Sequence, residues 1–306
     1  MKKILITGGT GFIGRALTAR LIAENNEVTI LSRHPESVHK MDLGGVKTLG
    51  SLQQLGPEDT FQVLINLAGA PIFDKRWSEA RKQEIRISRI QLTEQLITYI
   101  EQLTVKPELL ISGSAIGYYG DQGDDILTEQ TVLPAIKPDF SQQLCQDWEA
   151  VANKATQFGV RVCLIRTGLV LGSGGGLLQR MLLPFSLGLG GRIGNGKQWM
   201  SWIHLHDWIN IAEQMIADVS MSGAYNATAP KPVTNQEFTQ TLANTLKRPA
   251  WFPVPAVLLK ALLGEMSALV LGSQRVLPER LQAQGFQFKY TQLGEALLQI
   301  RQSSIN

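Results

Sequence analysis

Three glycines near the start of the chain are spaced for phosphate chemistry. In MKKILITGGTGFIG, Gly8, Gly11 and Gly14 follow the pattern GxxGxxG, with Gly9, Thr10, Phe12 and Ile13 between them. Lys3-Ile4-Leu5-Ile6-Thr7 ahead of them is a short β-branched apolar run, which predicts a buried strand. Phe12, Ile13, Ala16, Leu17 and Leu21 recur at helical spacing. A glycine turn between strand and helix aims backbone N–H groups and the positive end of the helix at an anion. In that context it predicts a dinucleotide pyrophosphate site. Gly8 allows the sharp turn, Gly11 lets phosphate approach the backbone, and Gly14 lets the helix pack close to the strand.

A second strand, Glu27 to Arg33, ends about 20 residues past this turn, where an NAD-specific fold carries an acid for the ribose hydroxyls. The residues there are Ser32-Arg33-His34, with no acid. A hydroxyl and a guanidinium suit a 2′-phosphate. Such a charge-assisted contact is worth about 1.5–3 kcal/mol, or about 10–100-fold in favour of NADP(H).

These residues need a scaffold. The chain has 306 residues, 44% of them hydrophobic and 18% charged, enough for a large core in a globular protein. A net charge of +3, spread along the chain, gives no footprint for nucleic acid or a membrane surface. Cys145 and Cys163 lie far apart without metal spacing, which points to a reducing compartment. Met1-Lys2-Lys3 is followed by only the short run Ile4-Leu5-Ile6-Thr7 and then the glycine turn, not by a long apolar core with a cleavage site. Val257 to Gly272 is apolar but interrupted by Lys260 and Glu265. A cytoplasmic protein is expected.

Further strands are predicted at Val46–Leu49, Gln62–Gly69, Glu108–Ser114, Arg161–Arg166 and Gly223–Ala229. The fourth of the seven, Gln62–Gly69, ends in Ala68-Gly69-Ala70-Pro71, small enough to lie against a ring or ribose. One long helix is predicted over Trp77–Leu103, with Glu84 and Arg89 in reach of a cofactor. Another covers Asp139–Phe158, capped by Asp139 or Ser141, with Leu144, Trp148, Val151 and Ala155 on one face. Alternating strands and helices predict an α/β fold, a Rossmann-type doubly wound parallel sheet. After Gly172 the pattern changes to a glycine-rich stretch up to Gly196, then a helix for which Asp207 is the expected cap. Thr234 and Glu237 form a capping box, and the chain from Pro253 onward is helix-rich.

With these residues in hand, the chain resembles the extended short-chain dehydrogenase/reductases. Within them it is most similar to the atypical, epimerase-like NADP-binding family. The matching stretches are TGGTGFIG, TILSRHP, INLAGAPI, KRW, SRI, SGSAIGYYG, DFSQQLCQDWE, IRTGLVLGSGGG, LLPFSLGLGGRIGNGKQWMSWIHLHD and SQRVLPERLQAQGF. The resemblance implies a Rossmann-type domain over residues 1–228, with a cleft-forming insertion at about 173–206, and a smaller helix-rich C-terminal domain over 229–306 that covers a substrate cleft. It implies NADP(H) held by Gly8, Gly9, Thr10, Gly11, Phe12, Ile13, Gly14, Ser32, Arg33, Leu67, Ala68, Gly69, Glu84, Arg89 and Val170. Family members are described as nucleoside-diphosphate-sugar epimerases or oxidoreductases. A small-molecule substrate, such as a nucleotide sugar or another anionic metabolite, is the expected partner.

One part of the superfamily's pattern is missing. Active members carry Tyr-x-x-x-Lys on a helix, the lysine favouring the phenolate that moves the substrate proton. Tyr99, Tyr118, Tyr119, Tyr225 and Tyr290 are followed at i+4 by Leu103, Gln122, Gly123, Ala229 and Gly294. On the expected helix stand Phe140 and Leu144. Ser114 matches the superfamily's serine, so the expected catalytic hydroxyls are Ser114 first, then Tyr118 or Tyr119. His204 and His206 alone do not make a metal site, and none is expected. Lys75, Arg76, Arg192 and Lys197 are candidates for holding an anionic substrate, and Trp199 and Trp202 for lining the cleft. Two functions fit: an NADP(H)-dependent oxidoreductase or epimerase-like enzyme with non-standard acid–base groups, or a cofactor-binding redox sensor without turnover.

Overall fold

The computed structural model describes residues 1–38, 44–135 and 137–303. Seven parallel strands form the central sheet: β1 Lys3–Thr7, β2 Glu27–Leu31, β3 Lys47–Leu49, β4 Val63–Asn66, β5 Leu109–Ala115, β6 Arg161–Thr167 and β7 Gly223–Ala227. Their order is β7-β6-β5-β4-β1-β2-β3. The strands read as near-continuous apolar runs because both faces of the sheet are covered. One face packs against helix α1 (Phe12–Ala23), through Leu17 and Leu21, and α6 (Leu205–Ala217), through Trp208, Ile211 and Met215. The other packs against α3 (Ile90–Gln102) and α4 (Phe140–Asn153), through Ile97, Ile100, Val151 and Ala152.

The order reverses at β1, whose neighbours are β2 and β4. In open α/β sheets ligands bind at such a switch point, outside the carboxyl ends of the strands. The glycine turn leaves β1 at that point.

The predicted helix over Trp77–Leu103 is two helices, α2 (Glu79–Ile87) and α3, separated at Ser88-Arg89. The break has a polar cause. Ser88 Oγ accepts the Ala70 N–H at 2.9 Å, while Arg89 Nη1 donates to the Ala70 carbonyl at 3.2 Å. An unbroken helix would not present both side chains to the N–H and carbonyl of a single residue. Asp139 caps α4 by accepting from Gln142 N. Asp207 does not cap α6. His204 does so, its Nδ1 accepting from His206 N, and the buried Asp207 carboxylate instead accepts Lys289 N and Tyr290 N at 2.9 Å each.

The stretch from 173 to 206 and the C-terminal part share a core. Leu178 and Phe185 of α5 (Gly176–Ser186) and Trp202 pack with Phe238 and Leu242 of α7 (Asn235–Leu246) and with Leu297 and Ile300 of α8 (Leu293–Ser303). The Thr234–Glu237 capping box opens α7 as predicted. Residues 304–306, the end of the expected C-terminal domain, lie outside the described residues.

Candidate functional site

A cleft of about 950 Å3 runs over the carboxyl ends of β1, β2 and β4. Of the expected cofactor residues, Gly8, Thr10, Gly11, Ser32, Arg33, Leu67, Ala68, Gly69 and Glu84 line it. Gly8 has φ +72°, and a Cβ there would lie 2.6 Å from the Leu67 carbonyl carbon and 2.7 Å from Ala68 N. Only glycine lets the tips of β1 and β4 approach this closely. A Cβ on Gly11 would meet only Gly8 O, at 3.3 Å, so it would project toward the cleft.

The other expected residues stand behind this wall. Gly14 lies under Gly8, and a Cβ on Gly9 would press on Ile30. Ile13 joins the core around α1. Phe12 fills the space beside Gly172, Gly175 and Gly176, and Val170 is buried in the short strand Leu169–Leu171. Arg89 sits against Gly69, where a Cβ would come 2.7 Å from Arg89 Cζ. Burial lowers the Arg89 pKa to about 10, and its guanidinium stays charged at neutral pH.

At the rim, Arg33 has no hydrogen bond or salt bridge among the described residues. Ser32 Oγ accepts from His34 N at 3.1 Å. Glu84 is exposed, and its hydrogen bond from Arg81 holds its carboxyl below the usual range. The sequence reading missed the far wall of the cleft. It is built by Ser51, Leu52 and Gln53 on a one-turn helix, and by Gln91, Gln95 and Gln102 on α3. The signals were present: Ser51 and Gln54 form a capping box, and the three glutamines recur along one helical face.

A buried polar chain ties the strand tips to the helices. Thr7 Oγ1 donates to Asn66 Oδ1 at 2.7 Å, and Asn66 Nδ2 donates to Thr93 Oγ1 at 2.8 Å. Trp148 Nε1 also donates to Thr93 Oγ1, at 3.0 Å.

The three expected catalytic hydroxyls lie together at the end of β5, around an ion pair that the sequence reading did not single out. Arg166 on β6 donates to both carboxylate oxygens of Glu149 on α4, at 2.9 Å each. Both residues are 5% exposed. Ser114 Oγ donates to Glu149 Oε1 at 2.6 Å. Arg166 Nη1 reaches the Tyr119 hydroxyl at 3.0 Å, and that hydroxyl donates to Asn226 Oδ1 at 2.8 Å. Tyr119 is fully buried, and burial raises its pKa to about 12 against the opposing Arg166 and Asn226 contacts. Burial also works against the Arg166 charge, but the Glu149 carboxylate outweighs it and the net shift is upward. Arg166 Cζ lies over the half-buried Tyr118 ring, 3.5 Å from the ring centroid. Its hydroxyl has no hydrogen-bond partner among the described residues. A charged residue within the apolar run Cys163-Leu164-Ile165-Arg166 was the signal for this pair.

Phe140 and Leu144, on the helix that carries the superfamily's tyrosine and lysine, are apolar wall. Phe140 meets Trp77 edge-on at 4.9 Å, and Leu144 packs with Ala70, Ile85 and Met266. His204 uses both ring nitrogens, with Nε2 facing Gln299 Oε1 at 2.9 Å. Trp202 is core, and its Nε1 donates to the Lys231 carbonyl. Trp199 is half-buried, with Nε1 on Asp124 and Arg275 over its ring. The four candidate cations are not gathered in the 950 Å3 cleft. Arg76 packs against Gly264, Arg192 donates to the Asn195 carbonyl, and Lys197 lines a separate surface hollow. Among the described residues no helix is long and apolar enough to cross a membrane.

Comparison with known proteins agrees with this geometry. Residues 254–300 match a domain of unknown function, DUF1731. The chain is 39% identical over 305 residues to "Epimerase family protein SDR39U1 homolog, chloroplastic" of Arabidopsis thaliana, covering 98% of this chain and 86% of the relative. It is 40% identical over 298 residues to epimerase family protein SERP0438 of Staphylococcus epidermidis, covering 97% and 98%. The crystal structure of human epimerase family protein SDR39U1 (isoform2) with NADPH superposes with a TM-score of 0.88 at 35% identity, over 98% of this chain and 99% of that one. A nucleoside-diphosphate sugar epimerase from Corynebacterium glutamicum superposes with a TM-score of 0.76 at 33% identity, over all of this chain and 62% of that one. Residues 4–227 match the NAD dependent epimerase/dehydratase family, and the chain belongs to it.

Proposed function

We propose that the chain is an NADP(H)-dependent oxidoreductase or epimerase-like enzyme that acts on a small anionic metabolite without a Tyr-x-x-x-Lys pair. The observation that carries this is the placement of two polar groupings at one end of the sheet: the glycine turn and Arg33 open onto one cleft, and Ser114 stands outside that cleft at the carboxyl end of β5, two strands from β1. The human relative crystallised with NADPH supports the cofactor. When bound, NADPH supplies a hydride. Gly8 and Gly11 present backbone to the pyrophosphate, Ser32 and Arg33 take the 2′-phosphate, and Leu67, Ala68 and Gly69 flank the dinucleotide. Arg89 fixes that loop, and Glu84 lies at the rim. Ser114 and Tyr118 form the polar end where substrate reacts, with the buried Tyr119 behind them.

The name of the Corynebacterium relative supports a nucleotide sugar as the substrate class. We divide the chain into a cofactor domain over 1–228 and a substrate-covering segment over 229–306. That both cysteines, Cys145 and Cys163, are free and buried supports a reducing, cytoplasmic setting. The test is a fluorescence titration with NADPH and NADH, followed by a panel of carbonyl and alcohol metabolites monitored by nicotinamide absorbance. Tight NADPH binding with turnover supports the enzyme. Tight binding with no turnover across the panel favours a redox sensor.

A further inference from the structure

We infer that the buried Glu149–Arg166 pair is the positioning device of the reaction, taking over the task that a helix lysine performs elsewhere in the superfamily. It holds Tyr118 as the proton donor and Ser114 as an acceptor. The inference rests on the oxidoreductase reading above and deepens it.

The argument follows the protons of the three hydroxyls. The Ser114 proton is committed to Glu149 Oε1 at 2.6 Å. The Tyr119 proton is committed to Asn226 Oδ1 at 2.8 Å, in a fully buried setting. Tyr118 alone of the three has a hydroxyl with no acceptor among the described residues, and its ring is half-buried. Sequence reasoning put Ser114 first; the hydrogen bonds put Tyr118 first.

The ion pair fixes both remaining partners. Arg166 cannot swing, because Nε and Nη2 are held by Glu149 and Nη1 by Tyr119. The Cζ atom of this fixed guanidinium lies over the Tyr118 ring, 3.5 Å from its centroid. A guanidinium against an aromatic face is attractive and orients the ring. The Ser114 hydroxyl already donates to Glu149, so toward any further polar group it can act only as an acceptor.

In the reduction direction the atoms balance simply. The substrate carbonyl carbon receives the hydride that NADPH supplies, leaving NADP+. The carbonyl oxygen receives the Tyr118 proton, and a proton taken up from bulk solvent restores the phenol, so that the reduction consumes one H+ overall. The alcohol so formed then donates its hydroxyl to Ser114 Oγ.

The test uses the full-length protein with carboxybenzaldehyde as an anionic carbonyl probe, and four variants: Tyr118→Phe, Ser114→Ala, Arg166→Lys, and the double variant Glu149→Gln with Arg166→Met. The double variant avoids leaving one buried charge unpaired, which is the costly way to break such a pair. NADPH affinity should stay at the wild-type value in all four, because none lines the dinucleotide cleft, and each variant is assayed below its own thermal midpoint so that lost stability is not read as lost turnover. The kcat for the probe should fall about 10²-fold or more in Tyr118→Phe, Arg166→Lys and the double variant, with KM for NADPH unchanged. Ser114→Ala should lose less. Fluorotyrosine labelling gives a readout without turnover: the Tyr118 resonance, identified by its loss in Tyr118→Phe, should move in Arg166→Lys in cofactor-free protein. Wild-type protein that binds NADPH but reduces no probe would sink the oxidoreductase reading and the inference with it. Wild-type turnover that survives in Tyr118→Phe, Arg166→Lys or the double variant would overturn the inference alone. So would a Tyr118 resonance that ignores Arg166→Lys.

Discussion

Gly14 lies so close beneath Gly8 that a Cβ on it would come 2.1 Å from the Gly8 carbonyl oxygen. The two glycines lock the first turn of α1 against the end of β1. Gly11, three residues from each, closes the turn with an N–H donated to Gly8 O at 3.0 Å and leaves its other side open toward the cleft.

This difference separates folding from binding. Gly11→Val should give a folded protein that no longer binds NADPH, because the side chain occupies pyrophosphate space. Gly14→Val should instead destabilise the whole domain, by at least the roughly 1–3 kcal/mol typical of overpacking, since the clash is with backbone. Thermal unfolding and cofactor titration of both variants check this. Undiminished binding in Gly11→Val would mean that phosphate sits elsewhere.

The cofactor half of the site was readable because its determinants are local. A glycine turn needs only a strand before it and a helix after it, and the residues at the end of β2 lie at a fixed distance along the chain. The polar end was less legible. Glu149 and Arg166 meet across 17 residues of sequence and from different layers. No spacing rule pairs a helix carboxylate with a strand guanidinium. Arg89 was expected at the cofactor, but the helix break that aims it at Ala70 was hidden by continuous apolar periodicity through Ser88. Asp207 was misassigned as a cap because Asp at a helix start is a common cap, whereas its true partners, Lys289 and Tyr290, are over 80 residues away.

Arg33 should decide cofactor choice. It stands at the cleft rim with no carboxylate salt-bridged to it among the described residues, ready for a phosphate. NADPH should bind about 10–100-fold more tightly than NADH, and Arg33→Ala should remove most of that difference. Equal affinities in the wild type would remove the basis for the 2′-phosphate contact.

Acid should weaken the fold through His204. Burial depresses its pKa from 6.5 to about 4, so the folded protein keeps the imidazole neutral where the unfolded chain protonates it. The sign follows from linkage: stability from this group is complete above about pH 6.5 and is lost as pH falls toward 4. Asp207, whose pKa burial raises, works in the opposite sense and offsets part of the loss. His204→Asn keeps a capping acceptor but cannot titrate. Its unfolding free energy should therefore vary less than wild type's between pH 6.5 and 4, as measured by denaturant melts. Identical pH slopes would show that other groups govern the acid limb.

Arg89 should matter more to the loaded protein than to the empty one. Its guanidinium is desolvated, donates to the Ala70 and Ile85 carbonyls at 3.2 Å each, and has no carboxylate salt-bridged to it among the described residues. A buried cation without an ion-pair partner costs solvation, so Arg89→Met should leave the cofactor-free protein about as stable as wild type. The loop at Gly69 and Ala70 loses its clamp, however, and the cleft loses a positive charge that favours an anionic ligand. NADPH bound only to the native state raises the melting temperature with the logarithm of its concentration relative to Kd. The NADPH-induced rise should therefore be clearly smaller in Arg89→Met than in wild type, with the cofactor-free midpoints close together. Arg89→Lys should fall between them, since lysine keeps the charge but not the reach and fixed direction with which Nη1 donates to both carbonyls. Thermal melts of the three proteins with and without NADPH measure both quantities. A full NADPH-induced rise in Arg89→Met would show that the loop holds its shape without the guanidinium.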